Sequence, residues 1–176
     1  MLIHVRDLEV RAAQFDVEVP PGEIDFFDEE LRQIGPLKAT GQAELEMGGL
    51  GEIRVTGHLS VQTEAACDRC LEDARFPIES DFVLNYRPAA EEEYGEEKEI
   101  DPEEAEIGFY EGNALELNDV FREQVLLALP MQRVCKEDCK GICPACGKNR
   151  NQVECGCQKL TTDDRWHALE ELKSTR

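Results

Sequence analysis

From Leu37 onward the chain alternates apolar and polar residues with a period of two. Leu37, Ala39, Gly41, Ala43, Leu45 and Met47 are interleaved with Lys38, Thr40, Gln42, Glu44 and Glu46. After Gly48-Gly49-Leu50-Gly51 the pattern resumes as Ile53, Val55, Gly57, Leu59, Val61, Thr63, Ala65 and Cys67, separated by Arg54, Thr56, His58, Ser60, Gln62 and Glu64. Successive strand side chains point to opposite faces, so this pattern predicts two long antiparallel strands with one buried and one wet face. The glycine run between them reads as a hairpin turn rather than a phosphate cradle, because strands flank it and no helix follows. A third strand carries Phe76, Ile78, Phe82, Leu84 and Tyr86 on one face and Glu79, Asp81 and Asn85 on the other. Ile3-Val5 and Phe15-Val17-Val19 are expected to add strands to the same sheet.

Beyond the third strand the pattern changes. Residues 89–106 hold ten carboxylates and one lysine, and like charges do not pack together, so an acidic solvated loop is expected. Ile107–Phe109 and Leu115–Leu117 read as a short hairpin around Glu111-Gly112-Asn113. A helix follows over 118–129, with Asn118 as N-cap, Phe121, Val125, Ala128 and Leu129 on its apolar face, and Pro130 as its stop. A last helix is expected from Asp163 to Lys173, with Trp166, Leu169 and Leu172 inward. The fold class is therefore α+β: a long antiparallel β-meander with a packed helix in a body over 1–130, and a cysteine-rich tail with a terminal helix over 131–176.

Charge and cysteine content narrow the function. The net charge of -20 argues against a protein coated in nucleic acid, because a broad phosphate footprint needs a basic face. The charge is uneven, however: residues 131–176 carry nine Lys/Arg against seven Asp/Glu. The longest apolar run, Val125 to Leu129, is far short of the roughly 20 residues of a membrane span. Charged residues interrupt the N-terminus too soon for a signal-peptide core, so the expected location is the cytoplasm. In a reducing compartment eight cysteines point to metal or redox chemistry rather than to disulfides.

They fall into a Cys67-x-x-Cys70 turn, a Cys135-x3-Cys139 pair, a Cys143-x-x-Cys146-Gly147 turn and a Cys155-x-Cys157 pair. A C-x-x-C turn aims two sulfurs at one point, as a tetrahedral ion requires, and eight thiolates make two closed sets of four. Zinc suits four thiolates with no open position and no redox cycle, so two zinc ions are expected. Cys143, Cys146, Cys155 and Cys157 close a short loop at small entropic cost, leaving Cys67, Cys70, Cys135 and Cys139 to tie the strand turn to the end of the helix. The competing arrangement joins the two C-x-x-C turns and leaves Cys135, Cys139, Cys155 and Cys157 for the other ion. In the first arrangement the second site is a local unit whose loss should leave the body intact.

The segment Cys67-Asp68-Arg69-Cys70-Leu71-Glu72, the run from Cys135 to Gly147, Asn149-Arg150-Asn151 and Cys155-Gly156-Cys157 resemble the YceD family of bacterial and plastid large ribosomal RNA accumulation proteins. Asp164-Arg165-Trp166 and Leu169-x-x-Leu172 resemble that family's tail, although Ile142 stands where Leu is commoner and Arg150 sits between the asparagines. The resemblance implies a role in large-subunit rRNA accumulation and large-subunit assembly. It supports the first pairing, because some members lack the terminal four-cysteine unit.

A non-catalytic assembly factor is the reading that follows. Lys140, Lys148, Arg150, Lys159 and Arg165 would face large-subunit rRNA or a basic ribosomal protein, with ordinary solvated charge as the bland alternative. No small-molecule substrate and no membrane partner is evident. The three histidines, His4, His58 and His167, are scattered, and closed thiolate sites lack the open position of a hydrolytic metal. A nuclease would need its carboxylates on ordered strands, not in a loop-like run. The alternative from another class is a redox-switched zinc-thiolate chaperone, whose client binding would resist salt where RNA binding would not.

Overall fold

The computed structural model describes residues 1–46, 51–89 and 107–157. In chain order these form β1 (Leu2–His4), α1 (Val5–Leu8), β2 (Ala13–Val19), β3 (Arg32–Gln33), β4 (Leu37–Leu45), β5 (Ile53–Ala66), β6 (Asp73–Pro88), β7 (Ile107–Tyr110), β8 (Ala114–Glu116) and α2 (Leu117–Ala128). The main sheet runs β2-β4-β5-β6-β7, with β3 pairing β5 beyond the end of β4. The β4–β5–β6 meander is antiparallel, in register from Leu45↔Ile53 and from Ala66↔Asp73. The period of two holds: Leu37, Ala39, Ala43, Ile53, Val55, Leu59, Val61 and Ala65 are buried on one face together with Phe76, Ile78, Phe82 and Tyr86. Ile24, Phe26 and Leu31 and the buried face of α2 complete the core.

One row across the sheet fixes how closely α2 sits. Phe15, Gly41, Gly57 and Phe82 are consecutive cross-strand partners. A Cβ on Gly41 would lie 2.6 Å from Phe15 Cζ, and one on Gly57 would lie 2.8 Å from Phe82 Cζ. The glycines thus make a trough into which the flanking rings lean. Phe15 in turn meets Phe121 of α2 at 5.9 Å between ring centroids, within the range of favourable aromatic pairs.

Several expectations are corrected. Ile3 is in a strand, but β1 pairs with β8 in a separate two-stranded sheet, and Val5 opens the short helix α1. Residues 107–117 are not a hairpin: β7 joins the main sheet parallel to β6, and β8 turns away to β1. Two short apolar stretches define a face but not a partner. The helix begins earlier than expected, at Leu117, with Glu116 rather than Asn118 at the N-cap and no side-chain cap bond. Its buried residues are Leu117, Val120, Phe121, Gln124 and Val125, while Ala128 is exposed. The turn at 48–50, the acidic run from residue 90 to 106 and the helix expected over 163–173 lie outside the described residues.

Candidate metal centres

The first cysteine pair occupies the turn between the two longest strands. Ala66 ends β5 and Asp73 opens β6, so residues 67–72 sit at one end of the meander. The backbone there forms a knuckle. The Cys67 N–H donates to the Glu72 carbonyl at 2.9 Å and the Leu71 N–H to the Cys67 carbonyl at 2.8 Å, with Leu71 at a φ of 62°. The second C-x-x-C turn repeats this pattern. The Cys143 N–H donates to the Lys148 carbonyl at 2.8 Å and the Gly147 N–H to the Cys143 carbonyl at 2.8 Å, with Gly147 at 72°. The left-handed residue after the second cysteine reverses the chain, and glycine takes that conformation at little cost. At Leu71 a branched side chain takes it.

The segment after α2 is threaded beside the first knuckle. The Asp68 N–H donates to the Arg133 carbonyl at 2.8 Å, and the Arg133 N–H donates to Asp68 Oδ2 at 2.6 Å. The Arg133 guanidinium also reaches Asp28 at 3.0 Å, so the loop over the core joins the same junction. Arg69 reaches across to the Glu137 and Cys139 carbonyls at 3.2 and 3.4 Å. Residues 131–157 are therefore attached to the body through many polar contacts rather than trailing from it.

This places Cys67, Cys70, Cys135 and Cys139 together, with all four sulfurs within 4.8 Å of one another. Cys67 and Cys139 are 3.9 Å apart and Cys70 and Cys135 are 3.7 Å apart. A tetrahedron with metal–sulfur bonds near 2.3 Å has sulfur–sulfur edges of roughly 3.8 Å. Cys67, Cys70 and Cys139 are buried and Cys135 is exposed, with Val134 packed against the group. Cys143, Cys146, Cys155 and Cys157 form a second such quartet, more open to solvent. Both quartets could hold a metal ion.

Hydrogen bonds to sulfur favour the thiolate form at one cysteine of each quartet. Burial pushes the Cys67 thiol up, but N–H groups of Cys135, Cys70 and Arg69 outweigh it and bring it down to about 6. The Cys135 N–H lies 3.3 Å from that sulfur. At Cys143 the N–H groups of Ala145 and Cys146 do the same, again to about 6. Burial and the neighbouring sulfurs raise Cys135 to about 12, and the Cys146 side chain with burial raises Cys157 to about 12. Each quartet thus sets a ready thiolate beside thiols whose protons a divalent cation must displace.

Asn151 is the residue that sequence reasoning passed over. Its Nδ2 donates to Cys139 Sγ at 3.3 Å and holds that thiol below its ordinary range, while its Oδ1 accepts the Lys140 N–H at 2.9 Å. Asn149 Nδ2 and Gln152 Nε2 both donate to Glu72 Oε1, at 3.2 and 3.0 Å. The signal the sequence carries for it is the Asn149-x-Asn151 pair between the two halves of the second quartet. Of the cations assigned to a partner surface, Lys140, Lys148 and Arg150 are exposed, and Lys159 and Arg165 lie outside the described residues. His58 lies on the wet face between Asp81 and Glu79, at 2.8 and 3.5 Å, and belongs to neither cysteine quartet. Among the described residues no helix is long and apolar enough to cross a membrane.

A β-meander closed at one end by two four-cysteine sites defines the class of protein. A family model described as "Large ribosomal RNA subunit accumulation protein YceD" matches residues 55–173, from the long hairpin through both quartets, and the chain belongs to that family. It is 23% identical to YlbN of Bacillus subtilis, named as an uncharacterized protein, over 177 residues that cover 97% of this chain and 94% of the relative. It is 30% identical over 122 residues to an uncharacterized protein of Mycobacterium tuberculosis, covering 68% of this chain and 55% of that one. The match takes in about half the length of that mycobacterial relative. No solved structure matches the chain.

Proposed function

We propose that this chain is a non-catalytic, cytoplasmic zinc protein that supports accumulation of large-subunit rRNA by binding rRNA or a basic ribosomal protein. The observation that carries this is the pair of closed cysteine quartets at one end of the fold, within a family described by large-subunit rRNA accumulation. Four sulfurs around one point leave no position for a substrate or an activated water, so zinc here holds shape rather than performing chemistry. All-sulfur tetrahedral surroundings favour zinc over harder divalent ions. Cys67, Cys70, Cys135 and Cys139 would hold one ion and Cys143, Cys146, Cys155 and Cys157 the other. Lys140, Lys148 and Arg150 stand exposed beside the sites, with no ion pair among the described residues, and with Lys159 and Arg165 they supply the proposed contact surface. The acidic body complements basic ribosomal proteins and turns phosphate away from the rest of the molecule.

Crosslinking the tagged full-length chain in a lysate of its own cell, with sequencing of bound RNA and mass spectrometry of bound protein, tests this. Large-subunit rRNA or its proteins should be enriched, and the enrichment should fall when Lys140, Lys148 and Arg150 are replaced by Ala. Capture of diverse unfolded proteins that survives high salt, with no large-subunit component, would instead identify a thiolate-switched chaperone.

A further inference from the structure

Hydrogen bonds join the two cysteine quartets. The loop that separates the two halves of the second quartet runs from Gly147 to Glu154, and its residues Asn149, Asn151 and Gln152 leave that quartet to engage the first. Asn151 donates to Cys139 Sγ, and Asn149 and Gln152 donate to Glu72, which closes the Cys67–Cys70 knuckle by accepting from the Cys67 N–H through its own carbonyl. Three further hydrogen bonds hold the turn and the segment it rests on. Arg150 N–H donates to the Gly141 carbonyl, Ile142 N–H to the Arg69 carbonyl, and Asn151 N–H to Asn149 Oδ1, at 2.9, 2.8 and 2.9 Å. The 149–152 turn is thus gripped from both sides. Its ends are set by Cys143, Cys146, Cys155 and Cys157, and its side chains rest on the ligands and knuckle of the other site.

We infer that the Asn149–Gln152 turn is a latch through which the second cysteine site governs how firmly the first site keeps its metal. This rests on the reading of both quartets as metal sites. Hydrogen bonds to a coordinating thiolate fix its orientation and offset its charge, and outer contacts of this kind commonly change metal affinity by roughly ten- to a hundred-fold. When the second quartet is emptied, the turn loses the anchors that hold it against Cys139 and Glu72. The first ion then exchanges faster, although none of its own ligands has changed. The more solvent-exposed quartet would therefore report metal supply to the buried one.

The test is release of metal from the fully loaded, full-length chain to a chromophoric chelator under anaerobic conditions. Cys70→Ser, which leaves only the second site, identifies the release phase of that ion. Asn151→Asp keeps the acceptor for the Lys140 N–H and replaces the donor facing Cys139 with a carboxylate oxygen. It should release the first ion at least about ten-fold faster. Cys155→Ser with Cys157→Ser should speed release of that same ion comparably, and adding Asn151→Asp to the pair should change it little further, because both act on one contact. Glu72→Gln, which weakens the other half of the latch while keeping its shape, should give a smaller acceleration and serves if Asn151→Asp folds poorly. Cobalt uptake, read by thiolate charge-transfer absorption, separates the two ideas. If the wild type takes up no cobalt, the metal reading falls and the latch with it. If it takes up two ions but Asn151→Asp and Glu72→Gln release at the wild-type rate, or the effects simply multiply, the latch alone is overturned.

Discussion

At Leu71 a leucine occupies the left-handed backbone position that the matching knuckle gives to Gly147. For an L-residue this conformation costs roughly 1–2 kcal/mol, and glycine removes that strain while adding some chain entropy to the unfolded state. The side chain of Leu71 is 64% exposed, so little packing is lost when it is removed. Leu71→Gly should therefore stabilise the metal-loaded protein by roughly 0.5–1 kcal/mol. Thermal melting should move upward, and a downward shift would mean that the leucine side chain has a packing role. This position was legible in principle. The sequences Cys67-x-x-Cys70-Leu71 and Cys143-x-x-Cys146-Gly147 align, and the glycine in one announces the conformation required in the other. Asn151 was less legible, because its partner Cys139 is identified only once the 149–152 turn folds back across the first site.

Among the elements, the long alternating strands were readable because period two over many residues specifies face and pairing together. The short ones were not. β8 has three residues and pairs β1, more than a hundred residues away in the chain, because Ile3 and Leu115 are both buried where those strands meet. The glycine row shows how tightly the meander is specified. Gly41→Ala would set a methyl 2.2 Å from the Thr56 carbonyl oxygen and 2.6 Å from Phe15. The expected loss is about 1–3 kcal/mol, as for overpacking in a filled core, read as a lower denaturation midpoint with its slope preserved. The link between β6 and β7 carries a second element-scale consequence. Those strands are parallel, with Asn85↔Ile107 and Pro88↔Tyr110, so the chain between them must return along the strand. Parallel connections ordinarily use a dozen or more residues. The parallel register thus replaces the expectation from sequence that residues 91–104 can be deleted without effect: the connection should depend on the number of residues between the strands rather than on their charge. Replacing them with an equally long Gly/Ser segment should leave the circular dichroism of the sheet unchanged. Deleting them should release β7, seen as loss of hydrogen-exchange protection at Tyr86 and Tyr110.

For the whole molecule, the first quartet joins parts of the chain that are otherwise far apart: the β5–β6 turn and the segment that follows α2. Apparent binding free energies of structural zinc reach about 10–16 kcal/mol in small zinc-finger peptides, so zinc held there, as proposed, would give this junction a large share in the stability of the body. Cys70→Ser should lower the main melting transition. Cys155→Ser should chiefly unfold the end of the chain, with a smaller effect on the body transmitted through the 149–152 turn. Metal retention should also weaken on acidification, because protons compete for the thiolates. Spacing and loop length were enough to suggest which cysteines lie near one another, whereas the contacts between the two quartets depend on tertiary docking. The most direct measurement is native mass spectrometry with elemental analysis of the chain purified anaerobically. Two zinc ions per chain are expected in the wild type, with one in Cys70→Ser and one in Cys155→Ser. Iron in place of zinc, or fewer than two ions in the wild-type chain, would contradict the account.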